Sequence, residues 1–146
     1  MPAERFLDTN VLLYGYDLDA PEKREVALDL IERGWSQPGS SALSVQVLQE
    51  FVVNFIKAGH SHEEAATVAG DFSTWPVVDI TLPLFRVALS VQARWQTSLW
   101  DAMIVAAAQA SGARELLTED LNHGQDYGGV KVVNPFQERP KTSGLL

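Results

Sequence analysis

Arg5-Phe6-Leu7-Asp8-Thr9-Asn10, with Val11-Leu12-Leu13-Tyr14 directly behind it, is the stretch from which the fold is read. Its first four residues make a short strand that opens the fold almost at once. Asp8 stands at the carboxyl end of that strand, where Thr9-Asn10 turns the chain. Downstream, helical and strand-like segments alternate. Pro21 at a first helical position, the charged turn Glu22-Lys23-Arg24-Glu25 and Gly34 past the end predict a helix over 21–33, with Val26, Ala27, Leu30 and Ile31 at helical spacing. Gln37-Pro38-Gly39-Ser40 is a turn, Ser41-Ala42-Leu43 a brief strand, and Ser44 the cap of a second helix. That helix carries the apolar stripe Leu48, Phe51, Val52, Phe55 and Ile56, and Gly59 stops it.

Ser61-x-x-Glu64 reads as a capping box for a helix over 62–73, Trp75 to Ile80 as a strand, and Pro83 as the start of a helix reaching about Arg94. Ser98 caps an alanine-rich helix, Leu99 to Ala110, that stops at Gly112. Glu115 to Thr118 is strand-like, and Gly128-Gly129 turns the chain into a final strand, Val130 to Val133. Short strands separated by helices predict an α/β fold: a mostly parallel central sheet with helices on both faces. No repeat or linker divides the chain, so residues 1–138 are read as one domain and 139–146 as a C-terminal tail.

The composition narrows the function classes. With 146 residues, 46% hydrophobic and 21% charged, the chain can bury an ordinary core, and no apolar run is long enough to span a membrane. The absence of Cys removes disulfides, zinc–thiolate sites and a cysteine nucleophile. Early charge and no long apolar stretch in the first ten residues argue against a secretory signal, so a cytoplasmic location is expected. A net charge of −8 argues against broad adhesion to nucleic acid or anionic membrane, while leaving nineteen carboxylates from which a metal-holding cluster can be drawn.

Four acids are the candidates, and each has a local explanation. In a parallel α/β sheet, ligands sit outside the carboxyl ends of the strands, which is where Asp8 and the pair Glu119-Asp120 fall. Turn chemistry alone also accounts for an Asp at either place. At about 100° per residue from Leu48, Glu50 comes out near 200°, on the polar face with Gln46, Asn54 and Lys57, where a solvated acid is the ordinary case. Asp101 is the third residue after Ser98, the position of an acidic capping partner. Leu99, Trp100 and the alanines that follow predict a buried helix start, in which a carboxylate needs a partner. Taken together, hard oxygen donors without Cys and with little His suit Mg²⁺ or Mn²⁺. Such ions compensate the repulsion of gathered carboxylates, lower the pKa of a water and stabilise a leaving oxygen on phosphorus.

At these residues the chain resembles the PIN-domain ribonucleases and, within them, the VapC-like toxins of toxin–antitoxin systems. The resemblance runs from residue 4 to 136. It rests on Phe6-Leu7-Asp8-Thr9-Asn10, Ser44-Val45-Gln46-Val47-Leu48-Gln49-Glu50-Phe51, Ser98-Leu99-Trp100-Asp101-Ala102-Met103-Ile104, and Leu116-Leu117-Thr118-Glu119-Asp120-Leu121 with Gly124-Gln125 and Val133-Asn134-Pro135-Phe136. Each block is short; their order and spacing carry the specificity.

The resemblance implies a PIN-like domain and a Mg²⁺- or Mn²⁺-dependent endoribonuclease, with Asp8, Glu50, Asp101 and Asp120 as metal-binding acids. Thr9, Asn10 and Thr118 are implied as polar supports or substrate contacts, and Glu119 as a residue that replaces or supplements Asp120. It also implies an RNA substrate, a cognate antitoxin that blocks the cleft, and a homodimer formed through helical apolar surface. Two other readings stay open: a PIN-fold module that binds RNA or a partner without turnover, and cleavage of DNA or flap structures by the same chemistry.

Other features point away from competing chemistries. His60 and His62 do not form an H-E-x-x-H pattern, and a loop with a helix cap is expected there, as a surface turn is for His123. No G-x-G-x-x-G follows the first strand and no G-x-x-x-x-G-K-[ST] occurs. Asn10 stands where an aspartyl-phosphate phosphatase would have its second Asp. Trp35, Trp75, Trp95 and Trp100 are read as core or interface residues.

Overall fold

The structure is a computed structural model and describes residues 2–137. The elements run β1 (Arg5–Leu7), α1 (Thr9–Tyr14), α2 (Pro21–Ser36), β2 (Ser41–Ser44), α3 (Val45–Lys57), α4 (His62–Phe72), β3 (Val77–Val78), α5 (Leu82–Trp95), α6 (Leu99–Ser111), β4 (Glu115–Leu117), β5 (Asp126–Tyr127) and β6 (Val130–Val133). The expected tail, 139–146, lies outside the described residues.

The strands form one sheet in the order β3-β2-β1-β4-β6-β5, parallel except for β5, which pairs antiparallel with β6. Phe6 pairs with Ala42 on one side and Leu116 on the other, so β1 lies at the centre. The chain adds β2 and β3 on one side of β1, then crosses to place β4 on the other. That reversal opens a crevice between the carboxyl ends of β1 and β4, the place where such sheets bind ligands.

Burial follows from this topology. Consecutive residues Phe6 and Leu7 are both fully buried, as are Ala42 and Leu43, so both faces of the central strands are covered. On one face α6 lies across β1, β2, β3, β4 and β6. Every residue from Ala102 to Ala108 in it is buried, the pattern of a helix enclosed all round, and its alanines allow close approach to the sheet. The aromatic rings of Phe51, Phe55, Phe72, Trp35 and Trp75 pack edge-on or stacked where α2, α3 and α4 meet.

The predicted caps are present. Ser44, Ser61 and Ser98 each accept a hydrogen bond from the third helical backbone N–H, and Ser61 and Glu64 form a full capping box. Other expectations need correction. Thr9 and Asn10 are not a separate turn: they begin α1, with the Asp8 carboxylate as its N-cap. Gly34 does not end α2, which continues to Ser36; the Trp75 ring fills the space beside it, and a Cβ there would lie 2.3 Å from two ring carbons. The strand expected over Trp75 to Ile80 is only Val77–Val78, because Trp75 turns into the aromatic cluster and the chain heads for the Thr81 cap of α5. β5 was not anticipated; Gly128 and Gly129, both at positive φ, fold it back on β6.

Candidate active site

Asp8 sits at the crevice because β1 ends there. Its Oδ1 accepts the Thr9 N–H at 2.8 Å, capping α1, and its Oδ2 accepts the Thr118 hydroxyl at 2.8 Å. The residue is 7% exposed. Burial pushes its carboxyl up to about 7; the hydrogen bonds from Thr118 and Thr9 oppose the rise, and the charges of Glu50 and Asp120 add to it.

Thr118, the first residue after β4, is fully buried and joins the acids. Besides donating to Asp8, its hydroxyl oxygen accepts from Asn10 Nδ2 at 3.2 Å and from the Asp120 backbone N–H at 3.1 Å. Asn10 Nδ2 also donates to Asp120 Oδ2 at 3.0 Å, and Asn10 Oδ1 accepts the Glu119 N–H at 3.4 Å. One asparagine in α1 therefore touches all three residues that follow β4.

Glu50 reaches the same place from α3. It is half-buried, not the solvated acid that its helical face alone predicts. Its Oε1 accepts the Thr9 hydroxyl at 2.6 Å and its Oε2 accepts Gln46 Nε2 at 3.1 Å. The Gln46 amide also donates to the Trp100 carbonyl at 3.2 Å, linking α3 to the start of α6. Only the first part of the polar face of α3 turns towards the crevice: Gln46 is buried and Glu50 half-buried, while Asn54 and Lys57 remain exposed.

Asp101 occupies the third position of α6, where its backbone N–H bonds the Ser98 hydroxyl at 3.1 Å. Its carboxyl is held above the usual range, first by partial burial and then by the charges of Asp120 and Glu50, against the Ser98 hydroxyl. The helix start is not the buried one expected from its neighbours, since Trp100 is 69% exposed.

Four acids distant in sequence thus influence one another electrostatically, and Glu119 points elsewhere. Its carboxylate accepts the Tyr14 hydroxyl at 2.6 Å and pairs with Lys23 Nζ at 2.9 Å. Among the described residues no three His, Asp or Glu side chains stand ready-made to hold a metal ion. Asp8, Glu50 and Asp120 instead satisfy their oxygens with Thr, Gln and Asn donors. The donor chemistry still fits a hard divalent cation: the set is entirely oxygen, and among the described residues no Lys or Arg neutralises Asp8 or Asp101, whose carboxyls are both pushed up by burial and by the charges of Glu50 and Asp120.

Sequence reasoning missed Gln46, Tyr14 and Lys23. Gln46 was legible as the residue four before Glu50, on the same helical face; the other two are brought in by packing between elements. His60 stacks on Phe55 with centroids 3.7 Å apart, and His123 Nδ1 accepts the Asn134 N–H at 3.0 Å, so both are occupied in local structure.

Comparison with known proteins agrees with the fold. The PIN domain family model matches residues 5–125. No curated protein sequence matches. A toxin–antitoxin complex from Klebsiella pneumoniae superposes with a TM-score of 0.65 at 25% identity, covering 90% of this chain and 98% of that one. The DNA-bound VapBC from Salmonella typhimurium gives 0.64 at 19% identity, over 89% and 96% of the two chains. A sarcin–ricin-loop-cleaving VapC toxin from Mycobacterium tuberculosis gives 0.60 at 20% identity, over 77% and 87%.

Proposed function

Because the chain belongs to the PIN domain family, we propose that it is a divalent-metal-dependent endoribonuclease that hydrolyses RNA phosphodiester bonds and acts as the toxin of a toxin–antitoxin pair. The observation that carries this reading is the convergence of Asp8, Glu50, Asp101 and Asp120 at the β1/β4 crevice with, among the described residues, no compensating cation as a side-chain partner. Asp8, Glu50 and Asp101 would hold Mg²⁺ or Mn²⁺, and Asp120 would complete the set. When bound, the ion supplies charge stabilisation on phosphoryl oxygens and a lowered pKa for the attacking water.

The remaining work belongs to the chain. Asp8, whose carboxyl is pushed up to about 7 by burial, would have to give up its proton to hold a cation. Thr9 and Gln46 fix the two Glu50 oxygens, and Thr118 and Asn10 fix Asp8 and Asp120, so the carboxylates keep their directions. The antitoxin assignment is supported by structural neighbours that are toxin–antitoxin complexes. A homodimer is supported by α5, which exposes Leu82, Phe85 and Leu89 along one stripe. Among the described residues no helix is long and apolar enough to cross a membrane.

The deciding experiment is cleavage of an RNA panel with Mg²⁺ or Mn²⁺, and again in excess EDTA. Activity that needs the ion and is lost in Asp8→Asn is expected; activity that survives EDTA overturns the mechanism. A protein that gains no thermal stability from Mn²⁺ and cleaves nothing is a non-catalytic binding module. A matched DNA panel separates the two nucleic acids.

A further inference from the structure

Asp120 lies on an exposed segment beyond β4, and no strand pairing holds it in place. The N–H groups of Glu119 and Asp120 are bonded to side chains, Asn10 Oδ1 and Thr118 Oγ1, not to a neighbouring strand. A charged tether on this segment is the Glu119 carboxylate. Its two oxygens take Tyr14 OH at 2.6 Å and Lys23 Nζ at 2.9 Å, and Lys23 Nζ also donates to Tyr14 OH at 3.2 Å, closing a triangle. The ammonium lies 4.7 Å from the Tyr14 ring centroid and 5.7 Å from that of Phe136, which packs edge-on against Tyr14 at 4.9 Å. Lys23 is in the first turn of α2, where a cation opposes the helix dipole. Its place is therefore explained by Glu119 and the two rings, not by the helix that carries it.

We propose that Lys23, Tyr14 and Glu119 form a clamp that positions Asp120, with Glu119 itself holding no ion. Glu119 is drawn to α1 and α2, and its chain neighbour Asp120 is thereby turned to the opposite side, against Asn10 and the other acids. These are positioning residues: they act through the segment and touch neither ion nor substrate. The inference rests on the metal-site reading above and adds three residues to it.

The test is Mn²⁺ affinity measured by calorimetric titration on the folded protein, without any substrate. Relative to wild type, Lys23→Met and Glu119→Gln should weaken Mn²⁺ binding by roughly tenfold or more, as loss of supporting partners does at metal sites. Tyr14→Phe, which keeps both ring contacts, should weaken it by less, and Lys23→Arg should restore most of it. In an Asp120→Asn background, Lys23→Met should add little, since the residue it positions no longer binds the ion. Full affinity in Lys23→Met, or a loss that adds undiminished to that of Asp120→Asn, overturns the clamp. If Asp8→Asn abolishes Mn²⁺ binding and Asp120→Asn does not alter it, the clamp falls and the metal site stands. If neither substitution matters, the metal-site reading itself falls and takes the clamp with it. Should Lys23→Met not fold, Tyr14→Phe and Glu119→Gln decide the matter by the same readings.

Discussion

The Thr9 hydroxyl in α1 donates a 2.6 Å hydrogen bond to the Glu50 carboxylate in α3, across 41 residues of sequence. Thr9 is buried, so its hydroxyl has no water to fall back on. Thr9→Val keeps the shape and removes the donor. It should cost about 1 kcal/mol of stability and lower metal-dependent RNA cleavage by roughly tenfold, whereas Thr9→Ser should retain most of both. Chemical denaturation and cleavage rates check this; a fully active Thr9→Val would show that Glu50 needs no orientation.

Stability of the metal-free protein should fall as pH rises. The Asp8 carboxyl is raised from 3.8 to about 7 by burial, with Glu50 and Asp120 facing it and Thr9 and Thr118 donating to it. Between those values the folded state holds a proton that the unfolded chain has released. The stabilisation is complete below about pH 4 and is lost through pH 7, with a slope of at most about 1.4 kcal/mol per pH unit. Asp101, raised for the same reasons, acts in the same direction. Thermal melts from pH 5 to 8 in EDTA should show the decline, Asp8→Asn should flatten it, and Mn²⁺ should restore stability at the alkaline end. A metal-free protein that becomes more stable across this range would refute the raised carboxyl.

Gly34→Ala should destabilise, although alanine is the better helix former by about 1 kcal/mol. The new Cβ would meet Trp75 ring carbons at 2.3 Å, and Trp75 is locked against Trp35 and Phe72. Overpacking of this kind costs about 1–3 kcal/mol, to be read from the denaturation midpoint. Cleavage per folded molecule should not change, because neither Gly34 nor Trp75 is among the hydrogen-bond partners that fix Asp8, Glu50 and Asp120.

If α5 forms the homodimer, Phe85→Asp should yield a folded monomer, as Phe85 is exposed and Leu84, Ala88 and Val91 hold the helix to the body. Light scattering after size-exclusion chromatography distinguishes the states. A wild-type protein that is monomeric at micromolar concentration would exclude this surface as a dimer interface.

Much of this was legible in the residues themselves. Ser44, Ser61 and Ser98 announce their helices because a cap bonds an N–H three residues away, a contact that sequence spacing determines. The alternation of strand and helix, and Asp8 at the end of the first strand, likewise follow from short-range pattern. The length of α2 did not, because the Gly34 signal is set by Trp75, which arrives from a distant turn.

The local sequence determined which elements form, in what order, and where the acids sit along them, since these depend on contacts within a turn or two of chain. Only the tertiary structure decided which carboxylates meet. Glu50 looks solvent-facing on its own helix, and becomes half-buried because α1 brings Thr9 against it. Glu119 and Asp120 are adjacent in sequence, yet Lys23 takes one and Asn10 the other, across 96 and 110 residues. Those choices follow from the reversal of strand order at β1, which gathers segments that no local periodicity relates.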